Sequence, residues 1–432
     1  MAVKCRNPRH IDCTNHREAT VPEVAAFNCR SNTYCVSKFL KVSILLILTS
    51  SVLILLISSC TKNPAEPDGI YSDLSEEDSI AVAEAINNGY IPIRNFHELY
   101  NIGADKDLPL DTKYILVRDI DASPSRRVNN EWGFRPIGTN TKPFTGEFDG
   151  RGQTIRNLYI RRPNPDTVTV GLFGFIMGAR IHRLHVEADL IWGNSNAGGI
   201  VGDARNSVID SCSFRGNVRG RRDAGGIAGK ILSSHISRSI SEGTVSSDTL
   251  FPGGRVGGLT GELDTASIDR SYSTADVFGT HSTGGLVGYN YQSQITNSYS
   301  TGNVDGRNGS TGGLVGQMHD GTVAGCYSTG DIIYTPAGRA GGLVGERSQK
   351  SVIANSFWGT LNTEIIADSI YADTVITVDS AGVTDTAITI LREQEVHVPL
   401  MRLQRTYTGW NFNTIWNIDE GKSTPYFMWH EK

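Results

Sequence analysis

Apolar positions in this chain come in short runs separated by clusters of glycine, serine, asparagine and aspartate, and the runs repeat. The pentapeptide at 198–202 (GGIVG) returns at 225–229 (GGIAG), 257–261 (GGLTG), 284–288, 312–316 and 341–345, the last three all GGLVG. Residues 170–174 (VGLFG) are a degenerate first copy, and successive copies lie 28, 27, 32, 27, 28 and 29 residues apart. Other positions keep step. Eleven residues after the leading glycines Gly198, Gly225, Gly257, Gly284, Gly312 and Gly341 stand Ile209, Ile236, Ile268, Ile295, Val323 and Val352. Twenty residues after the first five of them stand Val218, Val245, Val277, Val304 and Ile332. A fixed period of this kind marks one structural unit stacked on itself.

The pattern predicts three short apolar strands per unit, joined by polar turns. Helical repeats of similar length need runs of about ten helix formers, which these units lack. A unit of about 27 residues with three strands fits one turn of a parallel β-helix, each strand pairing with its equivalents above and below at ~4.8 Å. Eight or nine such coils are expected. The glycines are expected either to hold φ > 0 at a tight corner or to let neighbouring coils approach closely. Leu259, Leu286, Leu314 and Leu343 should stack as one internal aliphatic ladder.

With their flanks, these repeats resemble the GLUG-motif proteins. The resemblance runs from about Ile93 to Trp429. It takes in PIG (136–138), FTGEFDGRGQTI (144–155) and NLYI (157–160), which look like that group's first full coils, and GWNFNTIWNI (409–418) with PYF (425–427), which look like its closing element. What the resemblance implies is an all-β fold: a right-handed parallel β-helix of the pectin-lyase type with an N-terminal helical cap and a C-terminal closing element. It also implies a secreted or surface-attached bacterial protein, often without an assigned reaction. The β-rich stretch 361–390 departs from the pattern, so residues 93–360 are expected to form the β-helix and 361–432 an insertion plus cap.

Upstream the pattern changes. Ser37, Lys38 and Lys41 flank the start of an apolar run at 42–57, which Ser58, Ser59 and Cys60 follow at once. This resembles a bacterial lipoprotein signal peptide with its lipobox, which implies cleavage before Cys60 and a diacylglycerol on its thiol. The run is sixteen residues, shorter than the ~20 needed to span a bilayer. Residues 1–36 make the leader unusually long, and initiation near Val36 or Val42 is expected; Cys5, Cys13, Cys29 and Cys35 would then be absent from the mature protein. Residues 60–92 read as lipidated cysteine, a proline-bearing tether (61–69) and a short helix over 79–87, with a second helix after Asn95 as N-cap. Thr61, in place of the aspartate that retains such proteins at the inner membrane, points by resemblance to the outer membrane or cell surface.

Composition agrees with a folded, turn-rich chain: 47 glycines against 15 prolines, with 39% apolar and 20% charged residues over 432 positions. The net charge of −5 is spread along the chain and gives no reason to expect nucleic acid.

Candidate chemistry is sparse. Asp210 and Asp269 fall in one column with Ser237 between them, hence about 10 Å apart at two coil spacings, beyond the ~6.5–9.5 Å of an inverting carboxylate pair. Asp203, Lys230 and Glu262 alternate in sign on successive coils, as an ion-pair ladder would. Asp149, with Gly150, Arg151 and Gly152, reads as a structural turn. His182 and His185 should face opposite ways, too divergent to share a metal, and no metal or cofactor is expected. Cys212 and Cys326 lie four units apart, about 19 Å, so they should be free buried thiols. Arg215, Arg219, Arg221 and Arg222 gather at one coil as a solvated turn. Tyr272, Tyr299 and Tyr327 share a column on three consecutive coils, and if Ser271 or Ser273-type positions point inward the rings face out as a platform for sugars. The expected protein is a monomeric, non-catalytic surface lipoprotein that acts as an adhesion or glycan-contacting module, its partner a glycan or a host or cell-surface ligand. A carbohydrate-active enzyme and a structural envelope protein are the alternatives.

Overall fold

In a computed structural model, the described residues are 75–162, 169–247, 253–334, 338–359, 394–395 and 400–429. The apolar run at 42–57, Cys60 and the stretch 361–390 lie outside them. Among the described residues, no helix is long and apolar enough to cross a membrane.

The repeats build a parallel β-solenoid of seven full coils. Each coil has four sides, one more than the three predicted. In one coil they are Ser282–Gly284 (sheet 1), Val287–Tyr291 (sheet 2), Gln294–Thr296 (sheet 3), then Tyr299–Ser300 with Val304–Arg307 (sheet 4). The GGLVG pentapeptide is therefore a corner rather than a strand: Gly284 closes sheet 1, Gly285 and Leu286 turn, and Val287 opens sheet 2. Sheet 3 runs on to ten strands because Ile91–Ile93, Lys113–Leu116 and Glu147–Asp149 add incomplete turns ahead of the first full coil. These account for the difference from the eight or nine coils expected.

Strand register confirms the columns. Val218, Val245, Val277, Val304 and Ile332 pair in series, as do Ile209, Ile236, Ile268, Ile295 and Val323. The last member is displaced by one residue, since Val323 pairs with Ile353 and not Val352. Leu259, Leu286, Leu314 and Leu343 are fully buried and extend a ladder begun by Leu172, Ile200 and Ile227. Their backbones join too, the Leu286 N–H donating to the Leu314 carbonyl at 2.9 Å.

Why glycine holds the corner is decided by space. None of the leading glycines, nor Gly285, has positive φ. A Cβ on Gly285 would stand 2.2 Å from the Gly313 carbonyl oxygen of the next coil and 2.5 Å from Ser300 Oγ, distances no side chain can occupy. The left-handed conformation falls instead on the two turns flanking sheet 3. Asn206, Ser233, Thr265, Gln292 and Asp320 hold the first, and Arg183, Ser211, Arg238, Arg270 and Asn297 the second, all with φ between 46 and 55°. Glycine takes the same conformation at the equivalent positions Gly178 and Gly325, but the other coils meet it with these non-glycine residues, none of them buried.

Helix α1 (Glu76–Asn87) begins three residues before its predicted start, where Ser75 Oγ accepts from the Asp78 N–H at 3.1 Å. Its buried Ala81 and Ala85 pack with Val117 beside the opening strands. Helix α2 (Phe96–Asn101) is capped by Asn95 as predicted, and Leu99 enters the main core. At the other end Trp416–Asn417 and Tyr426–Phe427 form a small antiparallel pair. This closing segment lies along the outer flank of sheet 4, over four successive coils.

Candidate functional site: the outer face of sheet 4

One outward column runs the length of sheet 4. In register it reads Thr154, His185, Ser213, Ile240, Tyr272, Tyr299, Tyr327 and Phe357. Ser241, Ser273, Ser300 and Ser328 take the alternate, inward positions, where Ser300 and Ser328 donate to the carbonyls of Gly313 and Gly342. The alternation that sends the tyrosines outward is thus the expected one, and so is their stack: centroids 4.6 and 4.7 Å apart, planes within 7°.

Their exposure is not as expected. Tyr272, Tyr299 and Tyr327 are only 3%, 7% and 1% exposed. Trp416 and Phe427 of the closing segment pack over the rings, Trp410 and Tyr407 extend the layer to Phe357, and Tyr327 Oη donates to the Pro425 carbonyl at 2.6 Å. Burial pushes all three phenols well above their ordinary range. The faces a sugar ring would need are occupied by the chain itself, so the platform reading of these tyrosines is corrected to that of a docking strip for the C-terminal segment. The missed signal was the segment's composition: six aromatic residues from Trp410 to Trp429 need an apolar partner, and the tyrosine strip is the one the solenoid offers.

Where the cover stops, the same column opens into a cleft of about 570 Å³. Its floor is His185, Ser213 and Ile240, and Trp429 closes one end. One rim is the left-handed turn between sheets 3 and 4. There Arg183 forms a bidentate pair with Asp149, and Arg238 binds Asp210 at 2.5 Å and Ser211 Oγ at 3.1 Å. Arg151, on the same rim, reaches Glu84 of α1 at 3.2 Å. The opposite rim carries Arg215, paired with Glu242 at 2.6 Å, and Glu187. His185 Nδ1 and Ser213 Oγ share a hydrogen bond of 2.5 Å, and burial lowers the imidazole pKa, which keeps the ring neutral at pH 7.

The carboxylates singled out in the sequence are all engaged. Burial raises the Asp210 carboxyl, but hydrogen bonds from Ser237 (2.6 Å) and Arg238 outweigh it, and the group titrates below the usual carboxylate range. Asp269 follows the same rule with Asn297, Arg270 and Thr296. A carboxyl held ionised in this way is poorly suited to donate a proton to a leaving group. The column Asp203, Lys230, Glu262 is in register, and Lys230 meets Glu262 at 3.0 Å, but Asp203 turns to Arg205 at 3.2 Å instead of Lys230. Arg255, not anticipated, bridges Glu262 (2.6 Å) and Asp223 (2.9 Å). The Asp223 contact is close but not aligned as a hydrogen bond, and burial pushes its carboxyl up to about 6. Asp223 is fully buried, beyond the reach of a substrate.

His182 and His185 sit on sheets 3 and 4, either side of a corner, rather than on one strand. His182 binds Glu147 at 3.0 Å. Asp149 accepts from the Arg151 N–H at 2.8 Å, which makes its turn structural. Cys212 and Cys326 are free and buried, and burial pushes both thiols up to about 12. The four clustered arginines have separate engagements: Arg215 with Glu242, Arg219 over Trp192, Arg221 with Asn194 and Arg222 beside Asp223.

Comparison with known proteins agrees with the repeat. Residues 279–305 and 307–333 match the GLUG motif, so the β-solenoid carries two repeats matched to that motif. Halomucin of Haloquadratum walsbyi is 34% identical over 101 residues, which is 22% of this chain and 1% of that protein, so the chain spans about a hundredth of the relative's length. A proposed immunoglobulin A1 protease from Bacteroides ovatus superposes with a TM-score of 0.46 at 17% identity, covering 79% of this chain and 93% of the other. An IgA1 protease superposes at 0.36 and 17%, covering 67% and 20%. Nothing about the activity of this chain follows from either score.

Proposed function

We propose that this chain is a cell-surface β-solenoid, lipid-anchored through Cys60, that contacts glycans without turning them over. The observation that carries the reading is the open cleft on sheet 4: a rigid, solvent-facing floor with an aromatic at its end and ion-paired polar groups along its rims. Rigid solenoid faces suit extended ligands because the coils hold side chains at fixed intervals. The column carboxylates Asp210 and Asp269 speak against turnover, since each is kept ionised by its own partners. The anchor rests on the lipobox-like 57–60 and the apolar run before it. A lipid there would place the protein at the outer membrane or cell surface, where we take it to act as a monomer.

The test is an array of neutral and acidic glycans probed with the full chain in detergent, followed by chromatography of each bound glycan after prolonged incubation. Retention of intact glycan is expected. Shortened or unsaturated products would overturn the reading in favour of a polysaccharide lyase or hydrolase. Intact-mass analysis of the membrane fraction should show a diacylated N-terminal Cys60, and an unmodified residue there would remove the anchor.

A further inference from the structure

The charge of the cleft limits what it can hold. Four arginines face it, and each already carries a carboxylate: Arg151 with Glu84, Arg183 with Asp149, Arg238 with Asp210 and Arg215 with Glu242. Glu187, the remaining rim carboxylate, lies 3.7 Å from Arg156, which also binds Asp119 at 2.7 Å. Each rim guanidinium is thus balanced by its own carboxylate, with no surplus cation to reward a uronate, sulfate or phosphate.

Balance does not mean inertness. A guanidinium locked to a carboxylate still has donors pointing away from its partner. Asp149 and Asp210 lie buried behind their arginines and off the cleft wall, but Glu242 lines it beside Arg215, so that pair offers fixed donors and acceptors side by side, the complement of a vicinal diol. Because the pairs are formed before any ligand arrives, binding loses little rotamer entropy. The floor adds the neutral His185–Ser213 pair and the apolar side chain of Ile240. At the end, Trp429 stacks on Phe427 with centroids 5.1 Å apart and planes 13° from parallel, while remaining 36% exposed. An aromatic held in place with part of its surface in solvent is a surface for the C–H face of a pyranose. The volume of about 570 Å³ lies within the ~300–1,000 Å³ of ligand sites.

From this we infer that the cleft between the Arg183–Arg238 rim and Arg215, closed by Trp429, binds a short neutral oligosaccharide. The inference rests on the glycan-contact reading and gives it a place and a ligand class. The C-terminal segment then has two roles in one strand of chain. It buries the tyrosine strip, and its last aromatic completes the cleft where the strip ends.

The experiment is isothermal titration of the full chain in detergent against uncharged linear gluco-, manno-, galacto- and xylo-oligosaccharides, with oligogalacturonate as the acidic comparison. At least one neutral series should bind, with an affinity unchanged by added salt. Trp429→Ala should weaken it roughly two- to tenfold through the lost ring contact. Arg215→Met, which keeps the stem and removes the donors at an exposed position, should also weaken it. Phe278→Ala, on the outer face of sheet 4 but outside the cleft, should leave it unchanged, and circular dichroism should show all three variants folded. If neutral glycans bind but neither cleft variant weakens them, the site is overturned and the glycan reading stands. Binding of oligogalacturonate alone would overturn the charge-balance argument. A full chain that binds no saccharide would overturn both inference and reading.

Discussion

The two halves of the outer face of sheet 4 share a strand register, a backbone and an inward core, and they end differently. In the later coils the outward column is Tyr272, Tyr299, Tyr327 and Phe357, and it is buried; in the earlier coils it is Thr154, His185, Ser213 and Ile240, and it is open. A stack of aromatic rings on a solenoid flank is a large apolar strip facing water, and the chain covers it with its own aromatic end. Threonine, histidine and serine create no such demand and the single Ile240 packs against the edge of the aromatic cluster, so that half stays available. Scaffold and site are separated here by what occupies one column.

The interior should not distinguish the halves, and the largest effects test that. Gly285→Val in the covered half and Gly226→Val in the open half should both abolish a cooperative thermal transition by circular dichroism. The added Cβ would meet the Gly313 carbonyl at 2.2 Å in the first case and Ser241 Oγ at 1.7 Å in the second. The cost should far exceed the ~1 kcal/mol of an ordinary substitution. A tolerated Gly226→Val would show that the earlier corners are looser.

The outer column should separate the halves sharply. Tyr299→Ala is expected to cost about 3–5 kcal/mol in denaturant titration, as for a buried aromatic, and His185→Ala under about 1 kcal/mol. Equal costs would mean that the closing segment adds little to the fold.

A smaller effect concerns pH. The folded-state carboxyl of Asp223 is raised to about 6 by burial. Its contribution therefore favours the fold below the unfolded-state carboxylate pKa and is lost as pH rises through about 6. Asp223→Asn, which stays neutral, should gain on the wild type by a few degrees in Tm between pH 5 and pH 7. Asp210 and Asp269, with lowered values, work in the opposite sense: the stability they add is present at neutral pH and lost as pH falls through their folded-state values. A gap between wild type and variant that does not change with pH would remove Asp223 as the cause.

The smallest effect should be Cys212→Ser together with Cys326→Ser, one from each half. Both cysteines occupy a corner column otherwise held by Ser239, Ser271, Ser298 and Ser356. There a hydroxyl accepts an N–H from the preceding coil, as Ser239 does from Cys212 at 3.3 Å, and donates within its own coil, as Ser239 does to the Ser237 carbonyl at 2.8 Å. Serine can make the same bonds, so the midpoint should move by less than about 1 kcal/mol. In the native wild type neither thiol should react with a disulfide reagent until the protein unfolds.

Much of this was legible in residue spacing. The leucine ladder, the isoleucine and valine columns, the outward turn of the tyrosines and the Asn95 cap all follow from local periodicity and from which side chains suit a stacked strand or a helix start. Less legible were the count of sides per coil and the reason for the glycines. Both turn on whether GGLVG is a strand or a corner, which depends on how close the next coil lies. The site was misplaced for a related reason. Exposure of Tyr299 depends on Trp416 and Phe427, more than a hundred positions along the chain, and no window on the repeat contains them.

By itself the sequence determined a stacked all-β solenoid, because a repeat that cannot bury its apolar residues alone must bury them against copies of itself, and period and column identity are local properties. Only the tertiary structure decided which outward column is surface and which is core. That choice is made by the path of the closing segment, whose aromatic residues release the most water by lying on the tyrosine strip, and the open cleft is what that path leaves uncovered.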